Sequence, residues 1–135
     1  MSLINWNDSY CLGVPEIDTQ HRKLIDLANR THEAMKSGAI HGELKQVLSE
    51  LISYTIDHFA AEEAMMRRTF YPHATEHKRR HAAMAVHVAE LQAQIEAGKA
   101  AAPIQLQSFL RDWLMKHILE TDKQFAAYLS RRQAA

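Results

Sequence analysis

Apolar residues recur at alternating intervals of three and four along most of this chain, the repeat of helices that bury one face. The first stripe runs His21, Leu24, Ala28, Thr31, Met35. Asp18 is read as the N-cap of that helix and Gly38 as its stop. A second stripe runs Leu44, Leu48, Leu51, Thr55, His58, Glu62, Met65 and predicts a helix over residues 42–69. Pro72 then breaks the pattern, because proline disfavours helix at the residue before it and fits the first turn of the next. Ala74, His77, His81, Met84, Val88, Leu91 and Ile95 form the third stripe. Small residues with Gly98 and Pro103 make a linker over 97–103. A fourth stripe carries Leu106, Leu110, Trp113, His117, Phe125 and Leu129. No strand pattern or repeat is present, so the expectation is all-α: an up-down-up-down antiparallel four-helix bundle over 19–131. An irregular N-terminal arm, 1–18, precedes it and a short tail, 132–135, follows.

Composition narrows the classes. A chain of 135 residues is one domain by size and buries enough surface to fold without disulfides. Cys11 is the single cysteine, so no intrachain disulfide forms. Sixteen basic and sixteen acidic side chains cancel, which gives no argument for nucleic-acid or membrane binding. The first seven residues lack the basic and apolar regions of a signal peptide, and no apolar run approaches a membrane span. A soluble, cytoplasmic monomer is the expectation.

The polar members of the stripes carry the chemistry. His21, His58 with Glu62, His77 with His81, and His117 with Asp122 each sit on a separate helical stretch, on or beside the face that should be buried. Nine histidines in 135 residues give about 0.6 His-x-x-x-His pairs by chance, so that motif alone decides little. Position decides more. Burying five imidazoles and two carboxylates in one core is costly unless they pair or bind metal. Residues four apart point the same way on a helix, so neighbouring helices converge their ligands at one depth. The set reads as a two-metal site for iron, zinc or manganese. His32, His41, His73 and His87 lie off the stripes or near helix ends and are read as solvated or locally bonded. Met65, Met66 and Met84 are read as core filler.

One spacing is awkward. His117 and Asp122 are five residues apart, about 140° around a regular α-helix. Either the helix widens locally into a π-type turn, or Asp122 reaches the site from the flank. The widened turn is favoured, because a short aspartate on the flank demands a very close helix.

The motifs resemble the hemerythrin family, specifically single-domain bacteriohemerythrins. The resemblance rests on Trp6, Gly13–Val14, Ile17–Asp18–Thr19–Gln20–His21, His58–Phe59–Ala60–Ala61–Glu62–Glu63, Met66, Tyr71–Pro72, His77-x-x-x-His81 and His117-x-x-x-x-Asp122. It spans nearly the whole chain and fills every ligand position. It implies two non-haem irons with a bridging oxo or hydroxo group. His77, His81 and His117 would bind one iron, His21 and His58 the other, and Glu62 and Asp122 would bridge them. Trp113, Leu114 and Ile118 would line the oxygen pocket, and Trp6 would pack near the cluster. By ligand count the iron with two histidines keeps an open position, which dioxygen would take. The implied function is reversible dioxygen binding for carriage, storage or delivery, not enzymatic turnover. The competing functions are oxygen or redox sensing, and a di-iron peroxidase or nitric-oxide-handling enzyme. Against the first stands the lack of an output module in this sequence, and against the second the lack of a redox cysteine pair or flavin motif.

Overall fold

A computed structural model describes residues 3–36 and 42–134. Gly38 and His41, read above as a helix stop and a solvated histidine, lie outside the described residues. A single 3-10 turn, Asp8–Tyr10, is followed by α1 (Pro15–Lys36), α2 (Glu43–Arg68), α3 (Ala74–Glu96) and α4 (Ala102–Lys116). A π-helical turn, His117–Asp122, leads straight into α5 (Lys123–Ala134). No strand occurs among the described residues. The fourth helix of the bundle is therefore α4, the π turn and α5 in one run. α1 and α3 each pack against α2 and α4, which closes an antiparallel four-helix bundle.

The apolar faces form two separate clusters. The larger includes Leu24, Leu27, Leu44, Leu48, Leu51, Phe59, Met84, Val88, Leu91, Leu106, Leu110, Leu114 and Ile118. The smaller holds Ile17, Met66, Tyr71, Phe125 and Leu129. On every helix the polar stripe residues fall at the junction between the two. Ile17 and Leu24 flank His21, and Met84 and Tyr71 flank the His77–His81 pair. The bundle thus stacks as apolar layer, polar layer, apolar layer.

The arm ends earlier than the sequence suggests. α1 begins at Pro15, because Pro15 has its φ preset for a first helical position. Asp18 N–H closes the first helical bond onto Val14 O at 2.9 Å, so Asp18 is inside the helix and is not its cap. Its carboxylate instead reaches back to accept N–H bonds from Leu12 at 2.8 Å and Gly13 at 3.3 Å. At the other end helix continues to Ala134, past the expected boundary at 131. The arm is pinned to α1 where Asn29 bonds both the N–H and the C=O of Ile4, each at 2.8 Å.

Two helix ends share one geometry with different residues. α3 closes with Gly98 at φ 79°, and Lys99 N–H returns to Gln94 O at 3.0 Å. α2 closes the same way, Tyr71 N–H returning to Met66 O at 3.0 Å, but the left-handed position is Phe70 at φ 57°. A side chain there is strained, and the Phe70 ring is 79% exposed, so its packing offsets little of the strain. Phe70→Gly is expected to stabilise the protein by about 1 kcal/mol. Chemical denaturation checks this, and an unchanged or lower midpoint contradicts it.

Candidate metal centre

All seven candidate ligands come together in the polar layer. His21, His58, Glu62, His77, His81, His117 and Asp122 are each at most 4% exposed. They form two overlapping groups. One is Glu62, His77, His81, His117 and Asp122; the other is His21, His58, Glu62 and Asp122. The carboxylates belong to both, and each turns one oxygen to each half. Glu62 Oε1 lies 2.5 Å from His77 Nε2 and 3.5 Å from His81 Nε2, while its Oε2 lies 3.2 Å from His58 Nε2. Asp122 Oδ1 lies 3.0 Å from His77 Nε2 and 2.8 Å from His117 Nε2, while its Oδ2 lies 2.7 Å from His21 Nε2.

The five-residue spacing is resolved by the π turn. It widens the helix between His117 and Asp122 so that both side chains enter the polar layer. Thr121, at the regular four-residue position, is turned aside. Its hydroxyl accepts a hydrogen bond from Arg80 Nη1 at 2.7 Å.

A metal fits this donor set. His58 Nε2, His77 Nε2, both Glu62 oxygens and Asp122 Oδ1 are buried without a hydrogen bond, although partners lie within a few ångströms. His81 Nε2 and His117 Nε2 also face each other at 3.1 Å. Groups aligned on a common point, and not on one another, leave this pattern. An ion at each such point satisfies lone pairs that otherwise cost several kcal/mol in total.

The rings are held from outside. His58 Nδ1 bonds Gln20 Oε1 at 2.6 Å and His81 Nδ1 bonds Glu63 Oε2 at 2.9 Å, which directs each Nε2 inward. Phe59 stacks on His81 with centroids 3.8 Å apart, and Trp113 stacks on His117 at 4.3 Å. Sequence reasoning gave Gln20, Phe59 and Glu63 no role. The available signal was the need of each buried ligand histidine for a partner on its other nitrogen.

Leu114 and Ile118 are buried beside His117 in the larger cluster. Trp113 is half-buried and lies over a ring of the three-histidine group. Trp6 packs edge-on to Tyr10 and under the Arg22 guanidinium at 4.6 Å. His73 and His87 are exposed, and His32 is half-buried. Met66 and Met84 are buried in the apolar clusters, and Met65 is half-buried against the smaller one.

Residues 12–129 match the hemerythrin HHE cation binding domain. The chain belongs to the hemerythrin family. Its relatives include the bacteriohemerythrin of Stenotrophomonas maltophilia, 35% identical over 126 residues, which are 93% of this chain and 81% of that protein. The bacteriohemerythrin of Methylococcus capsulatus is 32% identical over 131 residues, covering 96% and 99%. A crystal structure of wild-type hemerythrin superposes with a TM-score of 0.85 at 31% identity, over 93% of this chain and 97% of that one. The polar layer is the buried donor set in this chain that fits a cation. No described helix is long and apolar enough to cross a membrane.

Electrostatics set its acid–base state before metal enters. Burial and the Asp122 charge push the Glu62 carboxyl up, but the close approach of the His58, His77 and His81 ring nitrogens outweighs them and brings it down to about 2. Burial likewise opposes ionisation of Asp122, and the close approach of the His117, His21 and His77 ring nitrogens holds it well below the ordinary range. His77 is opposed by burial and raised to about 9 by Asp122 and Glu62. His117 is lowered, chiefly by burial.

The pH dependence of the metal-free protein follows. The raised His77 contributes stability that is complete below about 6.5 and lost as pH rises through about 9. The depressed Glu62 contributes stability that is present above about 4.5 and lost as pH falls toward 2. Metal-free protein is expected to melt highest between those limits and progressively lower from pH 6.5 to 9. A metal held by His77 would take the place of its proton, so loading is expected to remove the alkaline fall. Melting curves of both forms check this, and a metal-free melting temperature that climbs from pH 6.5 to 9 contradicts it.

Proposed function

We propose that this hemerythrin binds dioxygen reversibly at a non-haem di-iron centre. In this reading His77, His81 and His117 hold one iron and His21 and His58 the other. Glu62, Asp122 and a solvent-derived oxo or hydroxo group bridge them. Family membership and the buried His/Glu/Asp cluster support a di-iron oxygen-binding role. The observation that carries the reading is the inequality of the halves. One offers three imidazoles with the shared carboxylates and the other offers two, which leaves that second position short of a ligand. A pair of ferrous ions supplies the electrons that reversible dioxygen binding needs.

The chain's own residues favour binding over turnover. Ferritin-like di-iron sites draw on about four carboxylates, and this centre has two. Both are held ionised near neutral pH, so neither is a ready proton donor. Phe59, Trp113 and Phe125 stand against the ligand rings as apolar walls, and Leu114 and Ile118 sit buried beside His117. In this reading Trp113, Leu114 and Ile118 line the oxygen pocket and exclude water from it. The chain is read as a dioxygen-binding protein of the cytoplasm.

Reduced, iron-loaded protein exposed to air and then flushed with inert gas is expected to gain and lose its visible charge-transfer absorption over repeated cycles. Permanent bleaching to a diferric form in the first cycle contradicts carriage. Leu114→Ala is expected to cost about 2–5 kcal/mol of stability and to speed autoxidation, because the vacated volume admits water beside the ligands. Autoxidation that is equal or slower with the ligand set intact removes Leu114 from the pocket.

A further inference from the structure

We infer that Glu63 and Gln20 make the two halves of the centre unequal in redox preference, the three-histidine half favouring the ferric state. This rests on the di-iron reading above. Each residue is a positioning residue, acting through one ligand histidine.

The asymmetry is in the partners of the outer ring nitrogens. His81, in the three-histidine group, donates from Nδ1 to the Glu63 carboxylate at 2.9 Å. His58, in the two-histidine group, donates from Nδ1 to the Gln20 side-chain carbonyl at 2.6 Å. The bonds are alike in role and differ in charge. His21 Nδ1 and His77 Nδ1 are buried without a partner. Among the described residues Glu63 is the one acidic group within ion-pair distance of an outer ring nitrogen. Its side chain is 25% exposed, so one edge of the carboxylate stays open to water. Phe59, stacked 3.8 Å from the His81 ring, holds that ring in line with the carboxylate.

The chemistry follows from the proton. An anionic acceptor draws the Nδ1 proton toward itself and leaves the ring a stronger electron donor at Nε2. A neutral amide carbonyl draws it less. The stronger donor stabilises the more highly charged ion, so Glu63 lowers the potential of the iron on its side. Gln20 leaves the two-histidine iron more easily kept ferrous, and that is the half short of a ligand. Each iron passes between Fe(III) and Fe(II) by one electron. In a stepwise oxidation at an electrode, the first electron would pass to the electrode from the saturated half, and the ligand-binding half would stay reduced.

Two substitutions move the charge without removing a hydrogen-bond acceptor, Glu63→Gln and Gln20→Glu. Iron-loaded protein is titrated at an electrode, with visible absorption and low-temperature paramagnetic resonance followed at each potential. Glu63→Gln is expected to shift its Fe(III)/Fe(II) equilibrium about tenfold toward ferrous, about 59 mV for a one-electron couple. Gln20→Glu is expected to shift its couple about as far toward ferric. Both bring the two couples closer, so the yield of the paramagnetic half-reduced pair falls in both. A merely structural role would move both variants in the same direction. Potentials that move together, or that stay fixed with two irons bound, overturn the inference and leave the di-iron reading standing. An unmodified chain that binds fewer than two irons defeats the di-iron reading itself and this inference with it. If Glu63→Gln does not retain iron, Gln20→Glu decides the question alone, since it adds a charge and removes no bond.

Discussion

Two carboxylates, fully buried between apolar layers, are the constraint on which the rest of this structure depends. Neither Glu62 nor Asp122 is more than 1% exposed. An ionised carboxylate in such surroundings is costly unless compensated at close range. The compensation is five imidazoles drawn from all four helices. That requirement fixes the relative depth of the helices, since each must bring its histidine to the same layer. It also explains why the apolar core is divided in two: no hydrophobic side chain can occupy that layer without displacing a ligand.

The same constraint links stability to metal. Without metal, the polar layer is held by shared protons, with His77 charged and both carboxylates ionised. That arrangement leaves several buried atoms without a hydrogen bond. An ion at each half turns those atoms into ligands, and the free energy of binding then becomes free energy of folding. The outer shell of Gln20, Glu63, Phe59 and Trp113 orients the rings in either state.

Much of this was legible in the sequence, and the exceptions have physical causes. The four stripes and the four-residue spacings of His58–Glu62 and His77–His81 give the bundle and the convergence, because helical periodicity depends only on sequence. The five-residue step from His117 to Asp122 pointed to a π turn or to a reach from the flank and favoured the turn, because a regular helix sets the two side chains about 140° apart. The start of α1 was misplaced because Asp18 has the composition of a cap, while Pro15 is equally suited to begin a helix and lies three residues earlier. Gln20 and Glu63 were invisible as ring partners. Which residue meets an outer nitrogen depends on how neighbouring helices are rotated, and no spacing within one helix reports that. Phe70 was missed because a left-handed helix end normally calls for glycine.

In the proposed centre each carboxylate serves two metal ions at once. Crystals of iron-loaded protein measured at the iron absorption edge test it directly. Two anomalous peaks about 3.5–4 Å apart are expected. One should lie among His77, His81 and His117 and the other beside His21 and His58, with Glu62 and Asp122 between them. A single peak, or a pair that leaves either carboxylate contacting one ion only, would contradict it.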